Sequence, residues 1–110
     1  MELLVQDYKR ATILAVAGRV DSATSTELEA ALRGIIDDGK KHVILDLAAV
    51  EFLSSSGLRV LVATMKELRK LGGELVLAAP SARAADSMAI AGLDVLFKTF
   101  GPREEAIASY

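Results

Sequence analysis

Hydrophobic and polar positions along the chain switch between the two-residue period of strands and the wider spacing of helices. Leu3 to Tyr8 and Ala11 to Val16 are short apolar segments separated by Lys9 and Arg10, which predicts two strands joined by a tight turn. After Gly18, Thr24 and Glu27 have the spacing of a capping box, and Leu28, Ala31, Leu32, Ile35 and Ile36 recur at helical intervals until Gly39. His42 to Leu47 is a continuous apolar run rich in branched residues, the pattern of a central strand covered on both faces. The stretch from Ala48 passes from strand through loop to a helix with Leu58, Leu61, Val62, Met65 and Leu68 on one face and Gly72 beyond its end. Glu74 to Ala78 is another strand. Pro80 and Ser81 open a small-residue helix closed by Gly92, Val95 to Phe100 makes a last strand, and Pro102 begins a short terminal helix. Strands alternating with helices imply an α/β fold with a mostly parallel, mixed sheet, an antiparallel opening strand and about four helices.

Composition narrows the class. The chain has 110 residues, of which 52% are hydrophobic and 25% charged, and its mean hydropathy is +0.36. That is the size of one ordinary domain and enough apolar material for a packed core, so residues 1–110 are expected to form a single domain, read as a monomer. Thirteen Lys and Arg against fifteen Asp and Glu leave a formal charge of -2, which argues against a protein that neutralises many nucleic-acid phosphates. With no Cys and one His, His42, the chain offers neither disulfides nor thiolate or multi-histidine metal sites, and no metal or cofactor is expected. Charge begins at Glu2, and no apolar run approaches the roughly 18 residues of a membrane span. The expectation is a soluble cytoplasmic protein that binds neither membrane nor nucleic acid.

Several motifs invite chemistry that their context does not support. Gly34 to Lys41, GIIDDGKK, nearly spells a phosphate-binding loop, but such a loop follows a strand and opens a helix, whereas this one ends a helix and enters a strand. A hydrolase built on Ser54, Ser55 or Ser56 would need a base within reach, and His42 lies at the opposite end of its strand from the serines. No catalytic role is expected. Arg59, Lys66 and Lys70 share the polar side of the second long helix, either as a solvated face or as contacts for an acidic partner.

The informative segment is Val50 to Val62, VEFLSSSGLRVLV, where three hydroxyls and a glycine stand between a buried strand and an amphipathic helix. The free N–H groups and positive dipole end of a helix suit a capping oxygen, and suit a phosphate better. One serine is enough for a cap.

With these residues the sequence resembles the STAS domain family, and within it the stand-alone anti-sigma-factor antagonists of bacterial partner-switching systems. The likeness runs over nearly the whole chain. GRVDSATSTELEAAL is similar to the family's G-x-[LIV]-D stretch with its following helix, and HVILDLAAVEFLSSSGLRVLV to its strand, Asp46 and D-S-[ST]-G-[LI] loop. ELVLA and AGLDVLF match the later course. The resemblance implies a non-enzymatic domain that binds an anti-sigma factor with serine kinase activity, frees the sigma factor, and is switched off when that kinase phosphorylates a loop serine. A metal-dependent serine phosphatase would reset it. By position, Ser55 is the phosphoacceptor, Ser56 the hydroxyl residue after it, Gly57 the turn glycine and Asp21 the family's Asp near the loop. Ser54 replaces the motif's usual Asp, which leaves three adjacent serines as candidate acceptors. Arg59, one turn on from Ser55, would help to hold the modified loop. The competing expectation is a constitutive STAS scaffold within a larger signalling or lipid-transport complex, whose serines only cap a helix.

Overall fold

In a computed structural model describing all residues, Met1–Tyr110, the elements follow the predicted order. They are β1 (Glu2–Asp7), β2 (Thr12–Val20), α1 (Ser25–Asp37), β3 (His42–Leu53), α2 (Ser55–Lys70), β4 (Glu74–Ala78), α3 (Ala82–Ile90), a 3-10 turn (Asp94–Leu96), β5 (Thr99–Phe100) and α4 (Arg103–Ala108). The five strands form one sheet in the order β1-β2-β3-β4-β5. β1 runs antiparallel to β2, and every later neighbour is parallel. No helix is long and apolar enough to cross a membrane.

Strand alternation divides the core in two. On one face Leu14, Val16, Val43, Leu45, Leu47, Leu75 and Leu77 pack with Leu28, Leu32 and Ile35 of α1, Leu58, Leu61, Met65 and Leu68 of α2, and Met88 of α3. On the other, Ala11, Ile13, Ile44, Val76 and Ala78 pack with Ala106 of α4. Because both faces are covered, His42 to Leu47 reads as an unbroken apolar run, as a central strand should.

Two elements depart from the sequence expectation. β2 and β3 are longer than their apolar runs, and the register between them slips twice, between Ala15 and Ala17 and between Gly18 and Arg19. Each slip gives β3 an extra residue, so its core positions fall at Leu45, Leu47, Val50 and Leu53 instead of strictly alternating. The bulges join the two strand segments read from sequence into one strand. The expected strand from Val95 to Phe100 shrinks to Thr99–Phe100 after the 3-10 turn. Val95 is 84% exposed, and only Phe97 of that segment is buried in the core.

One partly buried ion pair ties α4 to the sheet. Asp46 of β3 accepts from Arg103 Nε at 2.8 Å and from the Ala48 backbone N–H at 3.0 Å, and its carboxylate lies 2.7 Å from Arg103 Nη2. Arg103 Nη1 also donates to the Gln6 side chain of β1. The edge strand, the central strand and the last helix therefore share one guanidinium. Its planar fork matches this geometry, which a lysine would not.

Arg103→Ala should lower the free energy of unfolding by about 2–3 kcal/mol, because it leaves a largely buried carboxylate with one hydrogen bond. Glu29→Ala, on the exposed side of α1, should stay within about 0.5 kcal/mol of the parent. Urea unfolding of both variants checks this, and equal stabilities would mean that the ion pair contributes nothing.

Candidate functional site

The serine segment stands where β3 ends, and its position is set by β2. Val20 is the register partner of Leu53, and the Ser54 N–H donates to the Val20 carbonyl at 2.8 Å. Leu58 N–H then donates to the Ser54 carbonyl at 2.9 Å, the first turn of α2. Ser54 is the N-cap: its backbone is extended, and its Oγ accepts from the Gly57 N–H at 3.2 Å. Ser54 and Ser56 Oγ lie 2.8 Å apart in a hydrogen bond.

These bonds separate the three serines. Ser54 and Ser56 are half-buried, their hydroxyl oxygens bonded to each other and that of Ser54 also to the Gly57 N–H. Ser55, the first residue of α2, is exposed, and its hydroxyl has no protein partner. Gly57 is buried, and a Cβ there would lie 2.7 Å from Val20 Cγ1 and 2.9 Å from Leu53 Cδ1. Only a hydrogen fits. Arg59 is exposed on the next turn and forms no ion pair.

Asp21 follows Val20 directly and so starts its turn beside Ser54. Its Oδ1 accepts from the backbone N–H groups of Ala23 and Thr24, each at 3.0 Å. The capping box expected of Thr24 and Glu27 does not form. Thr24 is the N-cap of α1 by position but makes no side-chain cap bond, because its Oγ1 accepts from the Asp21 N–H and donates to the Arg19 carbonyl, both at 2.9 Å. The hydroxyl is used up inside the Asp21 turn. The hydrogen bonds from Thr24 hold the Asp21 carboxyl below the usual carboxylate range.

A third connection joins this end of the sheet. Ser81 caps α3 by accepting from the Ala84 N–H at 3.2 Å, and its hydroxyl donates to the Val50 carbonyl at 2.7 Å. Beside it, the Arg19 guanidinium lies over the Phe52 ring at 4.5 Å. Sequence reading missed the Arg19–Phe52 pair because it depends on the second register slip, for which the chain carries no local signal. The carboxyl ends of β2, β3 and β4 thus carry the Asp21 turn, the serine cap and the start of α3. Residues 54 to 57 form the turn from β3 into α2, and Asp21 follows Val20, whose carbonyl accepts from the Ser54 N–H.

The sequence matches the STAS domain family over residues 2–106. The chain belongs to that family. It is 34% identical over 110 residues, covering 100% of this chain and 95% of the relative, to a candidate anti-sigma factor antagonist, BtrV, of Bordetella bronchiseptica. It is 31% identical over 106 residues, covering 94% of this chain and 84% of the relative, to the anti-sigma-F factor antagonist RsfB of Mycobacterium tuberculosis. Its fold matches the crystal structure of an anti-sigma factor antagonist from Mycobacterium paratuberculosis with a TM-score of 0.88 and 30% identity, over 98% of this chain and 92% of that one. The unphosphorylated form of the anti-sigma factor antagonist SpoIIAA shares the fold at a TM-score of 0.84 and 21% identity, over 96% and 93% of the two chains. These relatives are named for a regulatory role and not for catalysis.

Within this STAS domain, Gly57→Ala should destabilise by about 1–2 kcal/mol, since the stiff Val20 side chain has to move and the gain in helix propensity only partly offsets the strain. Gly34→Ala, in α1 with nothing within 4 Å of the added Cβ, should instead stabilise by about 0.5–1 kcal/mol. Thermal unfolding of the pair gives opposite signs if the close approach at Gly57 is real. A carboxyl held low in the folded state stabilises above its ordinary value, near about 3.9, and loses that contribution as pH falls through the lowered one. The amides of Ala23 and Thr24 should therefore lose their bonds to Asp21 only below about pH 4, seen as a shared titration of their NMR shifts.

Proposed function

We propose that this chain is a cytoplasmic anti-sigma-factor antagonist that acts as one domain over residues 1–110. It binds an anti-sigma factor with serine kinase activity through the end of the sheet that carries Asp21, Ser54, Ser56, Gly57 and Arg59. Phosphorylation of Ser55 releases it, and a metal-dependent serine phosphatase restores it. The observation that supports this reading most is the division of labour among the serines. Ser55 alone is exposed with a hydroxyl that bonds nothing in the protein, while Ser54 and Ser56 are half-buried and hydrogen-bonded to each other, Ser54 also capping the helix.

The chemistry is a change of local charge. Phosphorylation replaces a neutral hydroxyl by a group of about -1.5 to -2 charge with three strong acceptor oxygens. No acidic residue occupies the first turn of α2, so the N–H groups at the helix start and the positive end of its dipole meet the phosphate without a competing carboxylate inside that turn. Arg59, unpaired one turn away, is a cation within the same helix face. The modified loop needs no rearrangement. A partner surface that fits the neutral turn would then face a buried dianion, and repulsion together with desolvation drives the two apart.

Incubation with ATP and the purified anti-sigma factor should add one phosphate by intact mass. Ser55→Ala should take up none yet keep partner affinity, since the alanine removes a hydroxyl that bonds nothing in the fold. Ser55→Glu should bind the anti-sigma factor roughly thirtyfold more weakly, about 2 kcal/mol, by calorimetry. Full phosphate uptake by Ser55→Ala would move the acceptor to Ser54 or Ser56. No uptake by the parent, with equal affinity for the Glu variant, would favour a constitutive scaffold.

A further inference from the structure

The opposite end of the sheet, where the parallel strands begin, holds a second cluster of chemistry that the serine switch does not use. The β1–β2 turn, the turn from α1 into β3 and Tyr110 enclose a hollow of about 430 Å³. Lys9 and Arg10 line it from one turn, and Lys40 and Lys41 from the other. All four are exposed and none forms an ion pair. No Asp or Glu side chain lines the hollow, although the side chains as a whole sum to a formal charge of -2. Cations are concentrated here against the charge of the rest of the molecule.

The carboxylates nearest in sequence and register already have partners, and two of these partners, Thr12 and Tyr110, belong to the wall itself. Asp7 accepts from Thr12 Oγ1 at 2.9 Å, and Asp37 lies 3.7 Å from Arg33. Glu74, the register partner of His42, accepts from the Tyr110 hydroxyl at 2.7 Å. Asp38, at the C-cap of α1, does not line the hollow. Burial, reinforced by Glu74, pushes the Tyr110 phenol well above its ordinary value, so it stays neutral and adds no negative charge to the wall.

The wall is also shaped before any ligand arrives. The His42 and Tyr110 rings lie 5.0 Å apart, and His42 Nδ1 is buried with no hydrogen-bond partner. Glu74 N–H donates to the Lys41 carbonyl at 2.9 Å. Gly73 lies so close to Lys41 that an added Cβ would stand 2.0 Å from that carbonyl. The Lys41 backbone is therefore fixed. Gly39, in the left-handed region at φ 84°, has open space where a side chain would be.

We propose that this hollow binds a small, multiply charged anion of the oligophosphate class, held between Lys9 and Arg10 on one side and Lys40 and Lys41 on the other. Four unpaired cations around one concavity suit adjacent phosphate groups, which need several donors at once. The volume falls within the range of small-ligand sites, and a concave opening suits a free molecule better than a flat lipid surface. A ligand there would tie together two turns that the fold holds only at their ends, at the pole opposite Ser55.

Calorimetry with inorganic pyrophosphate in 150 mM KCl tests this, since at that ionic strength diffuse attraction is largely screened. The parent should bind one equivalent, with amide shifts at Tyr8 to Arg10 and Gly39 to His42. The double variants Lys9→Ala/Arg10→Ala and Lys40→Ala/Lys41→Ala should each bind at least tenfold more weakly, with unchanged circular dichroism. Lys66→Ala/Lys70→Ala, which removes the same charge from α2, should bind within twofold of the parent. Absence of heat and shifts, equal loss in all three variants, or binding only to phosphatidylglycerol vesicles would each overturn the proposal.

Discussion

The start of α2 lies closer to the ends of β2 and β3 than any side chain permits, and the geometry of the serine turn depends on that approach. A Cβ on Gly57 would lie 2.7 Å from a methyl group of Val20, which is itself fully buried. With only a hydrogen there, the helix starts low enough for Ser54 to donate to the Val20 carbonyl and to cap Gly57 in the same turn. Those bonds settle the direction of the first helical residue. Ser55 then faces solvent because its neighbours on either side are turned inward. A side chain at Gly57 would lift the helix, lengthen both Ser54 bonds and free the three hydroxyls to exchange roles.

The helices were legible in the sequence because their apolar stripes are simple and their ends carry strong signals, such as Gly39, Gly72 and Gly92 at positive φ. The serine cap was legible for the same reason. The unbroken course of β3 through Ala48 and Ala49, and its register with β2, were not, because two slips break the alternation that identifies a strand. The same slips decide that Arg19 meets Phe52, so that pair had no local signature. Thr24 and Glu27 have the spacing of a capping box, yet Asp21 captures the threonine hydroxyl first, and two acceptors competing for one turn cannot be ranked from spacing alone. Val95 and Leu96 suggested a strand by composition, whereas only Phe97 finds a place in the core. Residue type indicates that something apolar is buried there, but the packing selects which.

The two ends of the sheet differ in electrostatic character for a topological reason. In a parallel sheet the loops that follow strands collect at one end and those that precede them at the other. The first set carries Asp21, the serine cap and the Ser81 turn, all rich in short side chains that bond to nearby backbone. The second set carries Lys9, Arg10, Lys40 and Lys41, long side chains with no internal partners. Short hydroxyls and carboxylates make a rigid surface, which loses little side-chain entropy on docking. Long free cations make a yielding one, suited to closing around a charge. β2 and β3 each span both ends, and Asp46 and Arg103 brace the middle of β3 against α4.

Ser54 is where this chain differs from the D-S-[ST]-G pattern that it resembles, and hydrogen-bond counting shows what the difference does. The Ser54 and Ser56 hydroxyls bring two hydrogens to a single shared bond, so one is spent between them and one remains. An aspartate at position 54 would accept from both Gly57 and Ser56, leave no hydrogen free and place a negative charge next to Ser55. The serine pair keeps the cap, remains neutral, and holds one O–H in reserve beside the exposed hydroxyl. On the proposed reading, that spare donor and the absence of a neighbouring carboxylate both favour a phosphate on Ser55 once it is formed. The price is a weaker cap, because a neutral acceptor at a helix start gains less from the dipole than a charged one. On that reading, the serine at position 54 shifts stabilisation from the unmodified turn to the modified one.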